Sequence, residues 1–224
     1  MLDLPHPVGE GLTDFLPAPS NRDALDAVLR WPDWPAPGCL LIGPHGSGKT
    51  HLAKIWASRA GAALLRGNEV WSPAEPMRRV AAATACVIDD AHDVGDEAQL
   101  FHLWNRLAER GGSMLLTATL PVAGWQLRLP DLRSRLLTAW PVPIGAPDDQ
   151  LLAALLVKQL ADRQIRAGTE IVDFLVRRIE RSFAAARSVV QALDRASLRA
   201  QRPVTMPLAR LVLEELAHGH EGET

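Results

Sequence analysis

The sequence predicts an α/β fold, in which a parallel sheet flanked by helices is followed by a small all-helical domain. Two observations lead to this prediction. As far as Pro147, short apolar runs alternate with amphipathic helical stretches, a pattern typical of a parallel sheet with helices on both faces. Beyond Pro147 no strand-like run follows, and only amphipathic stretches remain. The boundary between the two domains is therefore expected near Pro147.

The order of the elements gives three regions. Residues 1–20 are rich in proline and predict an extended arm, residues 21–147 the α/β domain, and residues 148–224 the helical domain. Within the α/β domain the predicted elements are a helix at 21–29, strands at 38–42 and 62–65 around a helix at 50–60, a strand at 85–88, a helix at 97–109, and strands at 114–117 and 136–144. The helical domain is predicted to contain helices at 149–161, 170–181 and 184–200 and a fourth from Pro207.

Composition excludes several classes of protein. Lys and Arg number 24 against 26 Asp and Glu, and no long block of one sign occurs, so a binder of nucleic acid driven by charge alone is not expected. No apolar run reaches the roughly 20 residues that span a bilayer, and the N-terminus lacks the basic start of a secretory signal. We expect a soluble, cytoplasmic protein without membrane contact. Cys39 and Cys86 lie in short apolar runs, which favours reduced thiols that act as small apolar side chains.

A glycine-rich octapeptide between a predicted strand and a predicted helix carries the main chemical signal. It matches the P-loop pattern, in which backbone N–H groups surround phosphates, Lys49 reaches the terminal phosphates and the Thr50 hydroxyl binds Mg²⁺. The predicted contacts to the nucleotide here are Gly43, Pro44, His45, Gly46, Ser47, Gly48, Lys49, Thr50 and the following His51.

An acidic pair ends the apolar run that begins at Ala85. A strand of a parallel sheet delivers such carboxylates at its C-terminal edge, beside the phosphate loop. Asp89 is the predicted second ligand of Mg²⁺, directly or through water, and Asp90 is the candidate for polarising an attacking water.

Two further segments are chemically ambiguous from their residues alone. The run ending at Thr119 would place a hydroxyl between the phosphate loop and the acidic strand, but threonine also favours strands for steric reasons. The segment 132–136 contains Arg133 and Arg135, which either form a solvated basic turn or supply a guanidinium to a nucleotide on a neighbouring subunit.

Taken together, these motifs resemble the AAA+ module of the bacterial replication initiator DnaA, and especially the Hda-type, DnaA-related family. The resemblance covers almost the whole chain. It is carried by residues 14–22, the P-loop, the acidic strand, the segment 129–136, and the stretch 193–197 in the helical domain, which corresponds to the family's lid.

The resemblance implies both a role and its residues. It places Phe15, Leu16 and Asn21 beside the adenine of ADP or ATP and puts the family's arginine finger on Arg135 rather than Arg133. It also implies that the protein, in its ADP form, binds the sliding clamp on DNA and stimulates hydrolysis of ATP held by DnaA. The helix-turn-helix domain with which DnaA reads DNA has no counterpart in this sequence, so sequence-specific DNA binding is not expected.

Three departures from the family pattern refine these expectations. Leu2, Leu4 and Pro5 fit the clamp-binding peptide, but Met1 stands where the family has glutamine. Ala184 replaces the lid arginine that senses nucleotide, with Arg181 and Arg187 three residues to either side, and Arg187 is taken as the candidate contact. Thr119 replaces an aspartate near the phosphate, which implies weak intrinsic hydrolysis.

Two alternatives remain open. One is a DNA-stimulated ATPase or loader that acts on DNA or on a helicase, and the other is an adaptor that nucleotide merely stabilises. A homodimer or higher oligomer is compatible with each of these.

Overall fold

The computed structural model describes residues 11–12, 15–68 and 83–220, arranged in two compact units, Met1–Gly145 and Ala146–Thr224. The first unit is an α/β unit and the second is helical. The division between them falls close to Pro147 in the sequence, and the two units are described separately.

The strands of the α/β unit form one five-stranded parallel sheet with the order β2-β3-β4-β1-β5. The strands are β1 (Gly38–Ile42), β2 (Ala63–Arg66), β3 (Ala85–Asp89), β4 (Ser113–Ala118) and β5 (Trp140–Pro143). Because β4 lies between β3 and β1, the C-terminal ends of the acidic strand and the phosphate-loop strand are separated by one strand only. Side chains at the end of β4 are therefore close to both.

Residues of the central strands alternate between two apolar layers, as the period of a strand requires. On one face, Leu40, Ile88 and Leu116 pack with helices α3 (Glu97–Glu109) and α4 (Pro130–Leu136). On the other face, Leu41 and Leu115 pack with helices α1 (Arg22–Arg30) and α2 (Lys49–Ala60). The sheet is thus covered on both faces, as the alternation of elements predicts.

Both cysteines are buried in this core, Cys39 in β1 and Cys86 in β3. Burial raises the pKa of each thiol to about 12. Both are therefore protonated at neutral pH and are poor nucleophiles.

Two predicted elements differ from the observed ones. The predicted strand 136–144 is wrong in its first half, because α4 extends to Leu136 and β5 begins only at Trp140. Leu132 and Leu136 are one helical turn apart and both buried, and Pro130 occupies the first turn of the helix, where proline is tolerated. The run therefore begins with the last residue of α4, continues through a turn at 137–139 and ends in an edge strand. Pro141 and Pro143 are accommodated because, among the described residues, β5 pairs with β1 alone.

The helical unit contains α5 (Asp149–Asp162), α6 (Thr169–Val176), α7 (Phe183–Ala200) and α8 (Met206–His220). The predicted helix 170–181 is wrong at its C-terminal end, because α6 ends at Val176. The Leu175 carbonyl accepts hydrogen bonds from the backbone N–H groups of Arg178 and Ile179 in the turn that closes the helix. Ser182 then caps α7 by accepting a 3.0 Å hydrogen bond from the Ala185 N–H. No helix among the described residues has the length and apolar character needed to cross a membrane.

Candidate nucleotide-binding site

The loop between β1 and α2 has a backbone that favours glycine at three positions. Gly46 and Gly48 have φ values of 68° and 97°, in the left-handed region. A Cβ atom on Gly43 would lie 2.1 Å from the Ile144 carbonyl oxygen, which leaves no room for a side chain. The glycines of the predicted P-loop are therefore required by the local geometry.

Lys49 begins α2 and is 5% exposed. Its ammonium group donates hydrogen bonds of 2.7 Å to the Gly43 carbonyl and 2.8 Å to the Pro44 carbonyl, both in the loop. Burial lowers the pKa of Lys49, while the charges of Asp90 and Asp89 act in the opposite direction. The loop thus encloses an ammonium group whose burial two nearby carboxylates offset in part.

The Asp89 carboxylate, at the end of β3, is 5% exposed and accepts hydrogen bonds from two threonines. The Thr50 hydroxyl lies 3.2 and 3.0 Å from its two oxygens, and the Thr117 hydroxyl lies 2.7 Å from Oδ1. Thr117 belongs to β4, between the other two elements. The predicted magnesium ligands Thr50 and Asp89 therefore lie together, and Thr117 holds the carboxylate from the side.

Asp90 follows in a left-handed conformation, with φ 51° and ψ 50°. Its backbone N–H donates a 2.9 Å hydrogen bond to the Thr117 hydroxyl. Gly67 approaches from the end of β2, where a Cβ atom would lie 2.2 Å from the Asp90 carbonyl oxygen. The same threonine thus orients both acidic residues, and the absence of a side chain at Gly67 makes room for the turn.

The Thr119 hydroxyl contacts the turn that follows the acidic strand. Its hydroxyl lies 3.1 Å from Nε2 of His92, in the 3₁₀ turn Ala91–Asp93 after β3. The hydroxyl that contacts the acidic strand at Asp89 is that of Thr117, two residues earlier.

The segment before α1 is fixed by Asn21, which is 1% exposed. Its side chain accepts a 2.8 Å hydrogen bond from the Ala18 N–H and donates one of 3.0 Å to the Leu16 carbonyl. Phe15 is buried in the core and makes an edge-to-face contact with the His51 ring, with centroids 5.6 Å apart. Asn21 therefore acts on this segment through backbone contacts, which hold the chain next to the wall that Phe15 and His51 form.

Helix α4 carries both arginines of the segment 132–136. Leu132 and Leu136 are buried, whereas Arg133 and Arg135 are exposed. Among the described residues, neither guanidinium has a hydrogen bond or ion pair. The leucines thus anchor one face of the helix in the core, and the two cationic side chains project from its exposed surface.

The remaining predicted residues lie elsewhere. Arg187 is exposed on α7 of the helical unit, as is Ala184. Arg181 precedes that helix and forms a 2.9 Å ion pair with Asp149. Of the two candidate arginines, Arg187 is therefore the one on the same helix as Ala184. Leu2, Leu4 and Pro5 lie outside the described residues.

The α/β unit fits an adenine nucleotide with Mg²⁺ on several grounds. It offers a buried ammonium group, left-handed glycines that turn the loop backbone, and a carboxylate next to a hydroxyl at the start of a helix. The Ser47 hydroxyl is buried in the loop without a hydrogen-bond partner among the described residues. Those residues contain no cluster of three or more His, Cys, Asp or Glu side chains that could hold a metal, so an ion at Thr50 and Asp89 would complete its shell with phosphate oxygens and water.

Two residues that orient this site, Thr117 and Gly67, act from neighbouring strands and were not predicted from the sequence. Glu97, which was not predicted either, contacts the start of α4 from α3. Only the position of Thr117 near the end of a strand next to the acidic one could have suggested a role.

Comparison with known sequences gives one family match and one relative along almost the whole chain. Residues 148–213 match the family model described as "Hda, lid domain". A Haemophilus influenzae protein described as uncharacterized is 26% identical over 227 residues, which cover 95% of this chain and 97% of that protein.

Solved structures show the same fold. Domain III of the replication initiation protein DnaA from Thermotoga maritima superimposes with a TM-score of 0.79 at 17% identity, covering 92% of this chain and 96% of that one. The AMPPCP-bound DnaA of Aquifex aeolicus gives a TM-score of 0.66 at 17% identity, covering 82% of this chain and 64% of that one. The AAA+ core with its helical lid is therefore the fold of this chain.

Proposed function

We propose that this chain, an AAA+ protein related to Hda and DnaA, is a cytoplasmic regulator of the initiation of chromosomal replication. It binds ADP or ATP with Mg²⁺ at the phosphate loop, binds the sliding clamp, and promotes hydrolysis of the ATP held by DnaA. The observation that carries the proposal is the match of residues 148–213 to the Hda lid, because the lid distinguishes this branch from AAA+ proteins in general.

The chain's own nucleotide site supports a binding role. Lys49 would neutralise phosphate charge, Thr50 and Asp89 would hold Mg²⁺, and the wall formed by Phe15 and His51 would border the base. Mg²⁺ would supply charge neutralisation at the phosphates. DnaA from Aquifex aeolicus binds the ATP analogue AMPPCP within the same fold, which supports an adenine nucleotide here.

The regulatory step depends on Arg135. Its exposed guanidinium, on a helix with a buried apolar face, suits a group that completes the active site of another molecule. In phosphoryl transfer, an arginine supplied in this way is worth roughly 10³ to 10⁵ in rate. Weak hydrolysis by the chain itself would be compatible with this role, since its own nucleotide mainly organises the surface that presents the arginine.

The decisive experiment is a reconstitution of DnaA carrying labelled ATP, clamp loaded on DNA, and this protein in its ADP form. Wild-type protein should accelerate hydrolysis of the DnaA-bound ATP, and Arg135→Ala should abolish the acceleration while binding ADP as before. Omitting the clamp should also abolish it, and Leu4→Ala should lower the clamp-dependent stimulation because it weakens binding to the clamp.

A different pattern would overturn the proposal. If the protein alone hydrolysed ATP rapidly on addition of DNA, without DnaA or clamp, it would instead be a DNA-stimulated motor or loader. A thermal-shift titration provides the first check, because ligand at about a hundred times its Kd stabilises the fold by roughly 2.7 kcal/mol. No shift with either ADP or ATP would contradict a nucleotide-dependent role.

A further inference from the structure

The Glu97 carboxylate connects helix α3 to the start of helix α4. It accepts hydrogen bonds of 3.0 Å at each of its oxygens from the Arg128 N–H, and a third, of 2.6 Å, from the Leu129 N–H to Oε2. Glu97 is the first residue of α3, and Leu129 immediately precedes α4. One side chain thus grips two consecutive backbone N–H groups more than thirty residues away in sequence.

Helix α4 needs such a contact because it is short. It has seven residues and no side-chain hydrogen bond at its N-cap, Leu129, and helices of this length are not stable in isolation. Leu132 and Leu136 anchor one face in the core. Apolar packing is non-directional, whereas hydrogen bonds depend on distance and angle. The apolar face therefore holds the helix down, and the carboxylate sets its position and direction.

Arg135 lies near the opposite end of this helix, six residues after Leu129 and about 9 Å further along the axis. A change of tilt at Leu129 is therefore transmitted to the guanidinium. In enzymes, a misplacement of about 1 Å at a reacting group can cost a factor of about 10² in rate.

On the strength of the proposed function, on which this step rests, we infer that Glu97 is the positioning residue for Arg135. It fixes the N-terminal end of α4, so that the guanidinium approaches the nucleotide of the partner in a single orientation. Glu97 is partly exposed, so water can replace its hydrogen bonds when it is removed. The fold and the phosphate loop therefore tolerate its loss, and the cost falls on the direction of the helix.

The test compares four variants in the reconstituted hydrolysis assay. Glu97→Ala should lower the maximal stimulated rate by about tenfold or more, while the concentration giving half of that rate changes by less than about twofold, because the docking surface is retained. Glu97→Gln should fall between Glu97→Ala and wild type, since its amide oxygen can still accept one of the N–H groups. Glu109→Ala is the matched control, because Glu109 is an exposed acidic residue at the other end of α3 without a described partner, and Arg135→Ala is the reference for complete loss.

Two structural readouts separate positioning from general destabilisation. The melting temperature and ADP affinity of Glu97→Ala should match those of Glu109→Ala, and amide hydrogen exchange should increase at 130–137 but not in the phosphate loop. A parallel loss of ADP affinity and melting temperature would show a merely structural role and would overturn the inference.

The outcomes also separate the inference from the proposed function. If Glu97→Ala stimulates as well as wild type while Arg135→Ala does not, the positioning role is wrong and the proposed function stands. If Arg135→Ala itself stimulates as well as wild type, the trans-acting role of that arginine fails, and the proposed function fails with it.

Discussion

The phosphate-loop edge of the sheet and helix α4 belong to the same unit, but their charged side chains differ in burial and in hydrogen bonding. At the sheet edge, Lys49 and Asp89 are buried and bonded to groups of the same unit, with the aspartate held by two threonines. On α4, Arg135 is exposed, and its guanidinium has no hydrogen bond or ion pair among the described residues. The first arrangement is preorganised by the chain itself, and the second depends on another molecule for its partner.

This difference predicts which substitutions affect the purified protein and which affect only its action on partners. A change at the sheet edge should alter the chain's own nucleotide binding or its stability, and these are measurable on the purified protein. A change on the exposed face of α4 should be silent in both measurements and detectable only with partners present.

Lys49→Ala should have the largest effect on the purified protein. It removes the buried ammonium group of the loop, and a charged hydrogen bond to a ligand is worth about 1.5–3 kcal/mol, so the affinity for ADP should fall by roughly 10- to 100-fold. Calorimetric titration would measure this loss, with Lys54→Ala on the same helix as the control. An unchanged affinity would contradict the assignment of the loop to phosphate.

Thr117→Val should destabilise the protein by about 2 kcal/mol, because Asp89 loses a donor and the Asp90 N–H loses its acceptor in a buried setting. Urea unfolding in the absence of nucleotide is the appropriate measurement. Thr119→Val is the matched control, since that hydroxyl contacts His92 instead, and its cost should be clearly smaller. Equal costs would show that Thr117 has no special role at the acidic pair.

Asn21→Ala should destabilise the protein by about 1–2 kcal/mol, since two hydrogen bonds to the backbone of 16–18 are lost at a buried position. The affinity for ADP should fall together with stability, because the segment that carries Phe15 loses the hydrogen bonds that hold its backbone. Nucleotide affinity and urea unfolding should therefore be compared on one preparation. A loss of affinity without any loss of stability would instead indicate that Asn21 contacts the base directly.

Arg133→Ala should have the smallest effect. Arg133 is exposed on the same short helix as Arg135. In the proposed mechanism Arg135 alone stabilises the charge that develops in the partner's active site, so stimulated hydrolysis should change by less than about threefold. The measurement is the reconstituted assay, with ADP affinity as the control for folding. A loss as large as that of Arg135→Ala would mean that the two arginines act together on the partner, and Arg133 would then share the role assigned to Arg135.

Much of the fold follows from local patterns. The glycine-rich loop, the apolar strands and the helices at 97–109 and 149–161 are all close to their predicted positions, because burial imposes the strand and helix periods directly on the sequence. The predicted strand at 136–144 is wrong in its first half for a physical reason. A short apolar run satisfies either period, and the packing of Leu132 and Leu136 against the core decides that Leu136 ends α4 and that the chain turns at 137–139 before β5.

The candidate site divides in the same manner. The sequence alone indicated the phosphate loop and the acidic pair, because glycines with special backbone angles and carboxylates at a strand end leave a signal within a few neighbouring residues. Only the tertiary structure assigned the hydroxyl at Asp89 to Thr117, the close approach at Asp90 to Gly67, and the grip on α4 to Glu97. These contacts join residues more than twenty positions apart, and the order of the strands and the direction of two helices decide them. A local pattern contains no information about either.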